Sequence, residues 1–238
     1  ELLREMAIKA NIPVTTTIHG NGIFDENHNL SLRWCGMHGF PASNYALQEA
    51  DCIIAIGSRF DDRTTGNIDY YAPKAIEAGI KGNGGIIHVD IEESQIDKVI
   101  KTDYSFCTTS NHFLKSIIPY IKFKERYNWL NFIQNKVKEH PFEYLSSNKL
   151  LMEEVLEKMN QMTSNKEVIF TTGVGNHQMQ TYQFIKSQYP KKIISSGSLG
   201  VMGAGLPYAI GAQIANPEKL VVNIDGDSSF NMTLTDLK

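Results

Sequence analysis

The sequence predicts an α/β protein made of two parallel-sheet, helix-covered domains. Short apolar runs rich in β-branched residues, at 51–57, 84–91 and 220–225, alternate with stretches of helical pattern. Such runs are typical of strands that are buried on both faces of a parallel sheet. Glycines or acidic residues follow these strands directly, at the sheet edge where open α/β folds bind ligands. We therefore expect functional side chains at the carboxyl ends of the strands.

Length and composition restrict the class of protein. The 238 residues suffice for one or two domains with buried cores, and 42% hydrophobic with 21% charged residues is ordinary for a globular chain. A net charge of −3 gives no general attraction to nucleic acid or to an anionic membrane. No apolar run approaches the ~20 residues of a membrane span. Cys35, Cys52 and Cys107 form no CxxC pair, which predicts a reducing compartment and no zinc site.

Pattern and composition divide the chain into three parts. We predict a first α/β domain at 1–122, truncated at its N-terminus, and a second at 149–238, truncated at its C-terminus. Residues 123–148 are basic, aromatic and polar, and we interpret them as an interdomain connector. Acidic residues interleave its lysines, which disfavours an RNA-binding patch.

Helices are expected at 1–10, 41–50, 111–121, 150–162, 177–187 and 206–215, and further strands at 13–17, 104–107, 167–171 and 193–196. Three other segments are also helical in pattern. An amphipathic helix is predicted at 92–100, a connector helix at 125–138, and a helix-like segment at 229–237. The sequence opens in a helical pattern without an initiator Met and closes within another, so we expect an internal fragment of a longer protein.

Three strand ends in the second domain carry residues suited to a phosphate and metal site: 173–178, 195–203 and 225–229. Their glycines permit close backbone approach, Asp227 offers a hard oxygen to Mg²⁺, and a helix N-terminus favours phosphate. Singly, each pattern is more typical of a tight turn with solvated acids, and His177 of a cap or core residue. Jointly, at successive strand ends, they predict a Mg²⁺–diphosphate site.

These motifs resemble the large, catalytic subunit of acetolactate synthase (acetohydroxyacid synthase), a family of thiamine-diphosphate enzymes. The segments that match its cofactor motifs are 171–179, 195–211 and 224–234. Those that match its flavin-domain motifs are 15–20, 36–39 and 57–63. The resemblance covers nearly the whole chain, and residues 25–32 with 84–88 are most similar to fungal-type mitochondrial members.

The resemblance implies a thiamine-diphosphate site in the second domain. Asp227 would be a ligand of the Mg²⁺ ion that bridges to the diphosphate. Gly200 would offer its carbonyl to the aminopyrimidine, and Met202 would lie beneath the cofactor and impose its bent reactive shape. The remaining implied cofactor positions are Gly175, Asn176, His177, Gln178, Gly226, Ser228 and Ser229.

The resemblance also implies that the first domain binds FAD, a cofactor without a net redox role in this family. Arginines suit the pyrophosphate, and Asp90 at a strand end suits a ribose hydroxyl. The implied flavin positions are Thr17, Ile18, His19, Gly36, Met37, His38, Gly57, Ser58, Arg59, Asp61, Arg63, Asp90, Ile91 and Gln95. By its residues alone, 59–63 is equally typical of a surface ion-pair cluster. His19, Asn176, Ser198, Gln180, Asn223 and the segment 106–110 depart from the family pattern.

The implied reaction is decarboxylation of pyruvate and its joining to a second 2-keto acid, pyruvate or 2-ketobutyrate, in isoleucine and valine biosynthesis. The implied partners are a second catalytic subunit that shares the active site and a regulatory small subunit. The implied location is mitochondrial, with plastid or cytoplasm as alternatives. An activating glutamate and further Mg²⁺ ligands would lie outside the chain, so the chain alone is expected to be inactive.

Two other functions stay open at this point. One is a sister enzyme of the pyruvate oxidase or glyoxylate carboligase type, which the run 59–63 disfavours. The other is a non-catalytic FAD-binding or regulatory homologue, which the intact Gly200, Met202 and Asp227 disfavour.

Overall fold

The computed structural model describes residues 1–145 and 147–237. Contacts divide the chain into a first unit, Glu1–Thr17 with Asn29–Phe142, and a second unit, Ile18–His28 with Glu143–Lys238. Ser146 and Lys238, which fall in the predicted connector and the predicted second domain, lie outside the described residues. This division differs from the predicted domain limits in two respects. Residues 18–28 pack with the second unit, and the predicted connector helix packs within the first. The domain limits themselves remain predictions.

The first unit contains parallel sheets surrounded by helices. In chain order its strands are β1 (Val14–Thr16), β2 (Ser31–Trp34), β3 (Cys52–Ile56), β4 (Gly85–Asp90) and β5 (Tyr104–Cys107). Its helices are α1 (Leu2–Ala10), α2 (Pro41–Glu49), α3 (Asp62–Thr65), α4 (Pro73–Ile80), α5 (Ser110–Ile117) and α6 (Tyr127–Glu139). Strand β1 pairs with β2, and the larger sheet has the order β3-β4-β5.

Both faces of the larger sheet carry apolar side chains into a core. On one face Ile53 and Ala55 pack with a cluster from the following segments that includes Tyr71 and Ala75. On the other face the intervening Ile54 and Ile56 pack with Met6, Val89, Phe113, Leu114 and Ile118. Successive side chains of a strand point to opposite faces, so a strand buried on both sides is apolar throughout. The predicted fold class is confirmed.

The second unit is built around the buried strand β6 (Val168–Thr172), which lies between β7 (Ile193–Ser195) and β8 (Leu220–Ile224). All pairings are parallel, and Thr172 is opposite Ser195 on one side and Ile224 on the other. The helices are α7 (Met152–Met162), α8 (Asn176–Phe184), α9 (Gly205–Ala215) and α10 (Asp227–Asn231). Because the three strands end in register, the loops that follow them leave the same edge of the sheet.

One helix prediction is wrong, and another is confirmed in part. The segment 92–100 contains only a 3₁₀ turn, Glu93–Gln95, because Asp97 adopts a left-handed φ of 57° and its carboxylate accepts hydrogen bonds from the backbone and hydroxyl of Thr102. The segment 229–237 is interrupted after Asn231 and continues as a 3₁₀ turn, Leu234–Leu237. The connector helix is confirmed as α6, with limits shifted by one or two residues.

Strand β2 and helix α4 were not predicted. Within 1–145 and 147–237, no helix is long and apolar enough to cross a membrane.

Candidate cofactor sites

The start of α8 lies beside the turn that leads into α10. Gly175 precedes α8 and Gly226 precedes α10, so the N-cap residue of each helix has no side chain that could cap it. A Cβ built on Gly175 would lie 3.0 Å from Cε1 of His177, and one built on Gly226 would lie 3.1 Å from Nδ1 of the same ring. The ring of His177 therefore lies close to both glycines and brings the start of α8 near the turn before Asp227. Backbone N–H groups at a helix start favour an anion.

His177 and Asp225 form a close pair beneath this region. Nε2 of His177 lies 3.2 Å from Oδ1 of Asp225, which also accepts a hydrogen bond from the Gly226 N–H. Burial lowers the pKa of His177, and the charge of Asp225 acts in the opposite direction. Among the described residues, the buried Nε2 of His177 and Oδ2 of Asp225 have no hydrogen-bond partner in good geometry. Unsatisfied buried polar atoms are uncommon, and they favour a polar ligand at this edge of the sheet.

The glycine-rich loop after β7 is attached to α10 and the turn that follows. Ser229 is 1% exposed, and its Oγ accepts a hydrogen bond from the Gly203 N–H at 2.9 Å. Thr233 donates its hydroxyl to the Gly203 carbonyl, also at 2.9 Å. Ser229, which the resemblance implied at the cofactor, therefore has a partner in the protein and supports the loop.

The two positions implied for the thiazolium and aminopyrimidine lie on this loop. Gly200 has a left-handed φ of 66°, and Met202 is 41% exposed. The backbone N–H of Val201, between them, donates to Ser196 Oγ at 3.0 Å. Gln178 points its amide at the base of the same loop, because Nε2 donates to Ser195 Oγ and to the Ser196 carbonyl. Sequence patterns did not indicate that Gln178, on α8, contacts this loop.

Asp227, Ser228 and Asn176 are exposed at this edge. No group of three or more His, Cys, Asp or Glu side chains suitable for a metal ion occurs in the part of the chain that the structure describes. The carboxylate of Asp227 is thus accessible at this edge and belongs to no such group.

The positions of the first unit that the resemblance implies at a flavin are held by a different set of contacts. Asn44, which sequence analysis missed, accepts from the Gly36 N–H at 2.8 Å and donates to the Gly36 carbonyl at 2.9 Å. The Met37 N–H donates to the Arg63 carbonyl at 2.7 Å. Asp61 caps α3 through the Thr64 N–H. The structure thereby brings the 36–38 loop against the segment that follows β3.

The ends of β3 and β4 are joined by a buried histidine. His88 is fully buried, its Nε2 lies 2.8 Å from the Ser58 carbonyl, and its ring contacts Phe60 edge-on. Oδ2 of Asp90 lies 3.9 Å from the same nitrogen. Arg59 lies 3.4 Å from Asp61 and is exposed, as is Arg63. Two cationic side chains are therefore available near these strand ends.

Two of the implied flavin positions lie elsewhere. Ile18 and His19 belong to the second unit, where a Cβ on Gly197 would approach Nε2 of His19 to 2.7 Å and the Ile18 side chain to 3.2 Å. Thr17 belongs to the first unit, Ile91 is exposed after β4, and Gln95 ends the 3₁₀ turn.

Comparison with known families defines the class of protein. Residues 1–117 match the central domain of thiamine pyrophosphate enzymes, and residues 173–238 match their C-terminal TPP binding domain. The chain belongs to the thiamine pyrophosphate enzymes.

Within this class, the chain is similar over its whole length to acetolactate synthases. It is 45% identical to the mitochondrial acetolactate synthase catalytic subunit of Saccharomyces cerevisiae, over 99% of this chain and 35% of that protein. It is 37% identical to acetolactate synthase 1, chloroplastic, of Zea mays, over 100% of this chain and 37% of that protein. It is also 37% identical to the probable acetolactate synthase large subunit of Methanocaldococcus jannaschii, over 100% of this chain and 40% of that protein.

The family resemblance inferred from the motifs is confirmed. The chain spans little more than a third of the length of these relatives.

Proposed function

We propose that the protein carrying this chain is an acetolactate synthase. It decarboxylates pyruvate and joins the product to a second 2-keto acid, pyruvate or 2-ketobutyrate, in isoleucine and valine biosynthesis. The observation that carries the proposal is the likeness to acetolactate synthases of fungi, plants and archaea along 98–100% of the chain. The geometry at the ends of β6, β7 and β8 supports it.

The second unit would bind thiamine diphosphate and Mg²⁺. The N–H groups at the start of α8 and the side chains of Asn176 and His177 would receive the diphosphate, and Asp227 would be one Mg²⁺ ligand. Gly200 would accept a hydrogen bond from the aminopyrimidine, and Met202 would support the bent shape from below. When bound, the cofactor supplies the electron sink that lets a 2-keto acid lose CO₂. The residues of the chain orient it and hold its charges.

The first unit would bind FAD. Arg59 and Arg63 suit the pyrophosphate, the carboxylate of Asp90 suits a ribose hydroxyl, and the loop at Gly36 offers backbone groups at close range. The buried His88 contact to Ser58 would keep the β3 turn in place. A protein without bound flavin after purification and reconstitution would contradict this part of the proposal.

The location and partners follow from the relatives. The fungal relatives are named mitochondrial and the Zea mays protein chloroplastic. We infer a mitochondrial location and a homodimer with an active site shared between catalytic subunits. A regulatory small subunit is inferred from the names catalytic subunit and large subunit of the relatives.

The central test is Mg²⁺-dependent binding of thiamine diphosphate, measured by isothermal titration calorimetry. Asp227→Ala should abolish the Mg²⁺-dependent part, because a hard cation loses its carboxylate ligand. Asp236→Ala is the matched control, since Asp236 is also an exposed acid of the second unit and should change nothing. Equal binding by wild type and Asp227→Ala would refute the site.

A second measurement separates the enzyme classes. We expect release of CO₂ from pyruvate to require thiamine diphosphate and Mg²⁺ without cycling of the flavin between oxidised and reduced forms. Stoichiometric flavin reduction during turnover would instead favour an enzyme of the pyruvate oxidase type.

A further inference from the structure

A buried tyrosine contacts the start of the glycine-rich loop from below. Tyr182, on α8, is 2% exposed, and its hydroxyl lies 3.0 Å from Oγ of Ser195, the last residue of β7. Gln178 lies one helical turn earlier and donates its amide to the same Oγ at 3.0 Å and to the Ser196 carbonyl at 3.2 Å. Positions four apart share one face of a helix, so this face of α8 is directed at 195–196.

The same hydrogen-bond network continues to the loop residues implied at the cofactor. Oγ of Ser196 accepts the Val201 N–H at 3.0 Å, and Val201 lies between Gly200 and Met202. The Ser196 carbonyl therefore accepts a hydrogen bond from α8, and its hydroxyl accepts one from the loop. A displacement of 195–196 would move the loop as well.

Helix α8 also carries the proposed diphosphate site at its N-terminus, next to Gly175 and His177. One rigid helix thus sets the position of the diphosphate end and, through its inner face, the position of the loop. Burial raises the pKa of Tyr182 to about 12, with the Ser195 hydrogen bond acting in the opposite direction. The phenol therefore keeps its proton at neutral pH and retains its donor.

We propose that Tyr182 is a positioning residue for thiamine diphosphate. Through Ser195 and Ser196 it holds the 200–202 segment at the separation from the α8 N-terminus that the two ends of the cofactor require. Because Tyr182 is 2% exposed, its role is to act through the loop. The inference rests on the proposed thiamine-diphosphate function and adds a residue that none of the cofactor motifs contains.

The test removes one hydroxyl and compares two ligands. Tyr182→Phe should weaken binding of thiamine diphosphate with Mg²⁺ roughly three- to tenfold, the effect of losing one buried neutral hydrogen bond. Binding of inorganic pyrophosphate with Mg²⁺, which engages the diphosphate site alone, should be unchanged. A general loss of structure would weaken both ligands.

Tyr189→Phe is the matched control. The Tyr189 hydroxyl accepts the Val168 N–H at 3.1 Å and donates to the Val168 carbonyl at 2.8 Å, at the opposite end of β6. The Tyr189→Phe substitution removes a comparable, partly buried hydroxyl. Both ligands should bind to this variant as they do to wild type. If Tyr182→Phe does not fold, Ser195→Ala tests the same hydrogen-bond connection. It should likewise weaken binding of thiamine diphosphate and leave binding of inorganic pyrophosphate unchanged.

The outcomes are distinguishable. Wild-type affinity of Tyr182→Phe for thiamine diphosphate, or equal weakening of both ligands, overturns the positioning role while the proposed function stands. A wild-type protein that binds neither ligand overturns the proposed function, and the inference with it.

Discussion

Glu26 accepts a hydrogen bond from the backbone N–H of Ser187, 161 residues further along the chain, at 2.9 Å. The same carboxylate accepts from the Asn21 amide at 2.7 Å, and the Glu26 N–H donates to the Ser187 carbonyl. Gly22 lies so close to Tyr189 that a Cβ would meet its carbonyl oxygen at 2.1 Å. These contacts attach residues 18–28 to the second unit, which places His19 beside the loop at Gly197.

Glu26→Ala should destabilise the second unit by about 2–3 kcal/mol, because two hydrogen bonds are lost and a buried N–H is left unpaired. Burial lowers the pKa of Lys192, and the negative charge of Glu26 partly opposes this effect. The substitution therefore also removes a charge that stabilises the Lys192 ammonium. Hydrogen exchange of the Ser187 and β6 amides measures the effect. Glu218→Gln, at an exposed position, is the control, and equal protection in both variants would contradict the prediction.

Alanine at two glycines of the second unit should have opposite effects on stability. A Cβ at Gly173 would lie 2.0 Å from Ser229 Oγ and 2.2 Å from Asp225 Oδ1, so Gly173→Ala should destabilise by about 1–3 kcal/mol. A Cβ at Gly211, within α9, would meet no described atom within 4 Å apart from its chain neighbours and the nearby backbone of its own helix, so Gly211→Ala should stabilise by about 0.5–1 kcal/mol. Denaturant unfolding followed by far-ultraviolet circular dichroism distinguishes the two. Loss of stability in both variants would show that the space around Gly211 is smaller than the structure indicates.

Without cofactor, the second unit should lose stability on acidification through His177. Burial lowers the pKa of His177 below its ordinary value of 6.5, so the unfolded state binds the proton at a higher pH than the folded state. The loss begins as the pH falls through about 6.5 and ends below the lowered folded-state pKa.

Hydrogen exchange of the β6 amides between about pH 7.5 and about pH 5 tests this dependence. His177→Gln should flatten it, whereas His112→Gln, at an exposed position of the first unit, should not. An unchanged slope in His177→Gln would assign the acid sensitivity to other groups.

Asn44→Ala should weaken flavin binding by the first unit. Both hydrogen bonds between the Asn44 amide and the Gly36 backbone would be lost, so that the contact of the Met37 N–H with the Arg63 carbonyl would alone remain of those described for this loop. We expect roughly tenfold or greater weakening, measured by quenching of flavin fluorescence. Asn83→Ala, at an exposed position of the same unit, is the control and should bind flavin as wild type does. Wild-type flavin affinity of Asn44→Ala would show that the Gly36 loop has no part in the site.

The strands and the class of protein were predictable because their signals are local. A strand buried on both faces must be apolar at successive positions, as at 52–56 and 85–89, and the glycines and acids that follow it are adjacent in sequence. The error at 92–100 arose because the apolar spacing of a helix was outweighed by the hydrogen bonds between Asp97 and Thr102. The short β2 and the helix α4 lack the strong pattern of a long, fully buried element.

The α/β class, the motifs at 173–178, 195–203 and 225–229, and through them the thiamine pyrophosphate enzyme family could be recognised in the amino-acid sequence alone. Which side chains support those motifs became apparent from the folded structure. Tyr182 with Ser195, Asn44 with Gly36 and Glu26 with Ser187 are hydrogen-bonded pairs separated by 13, 8 and 161 residues. A hydrogen bond requires a specific distance and angle between a donor and an acceptor. The periodicity of the sequence does not predict which donors and acceptors come together when the chain folds.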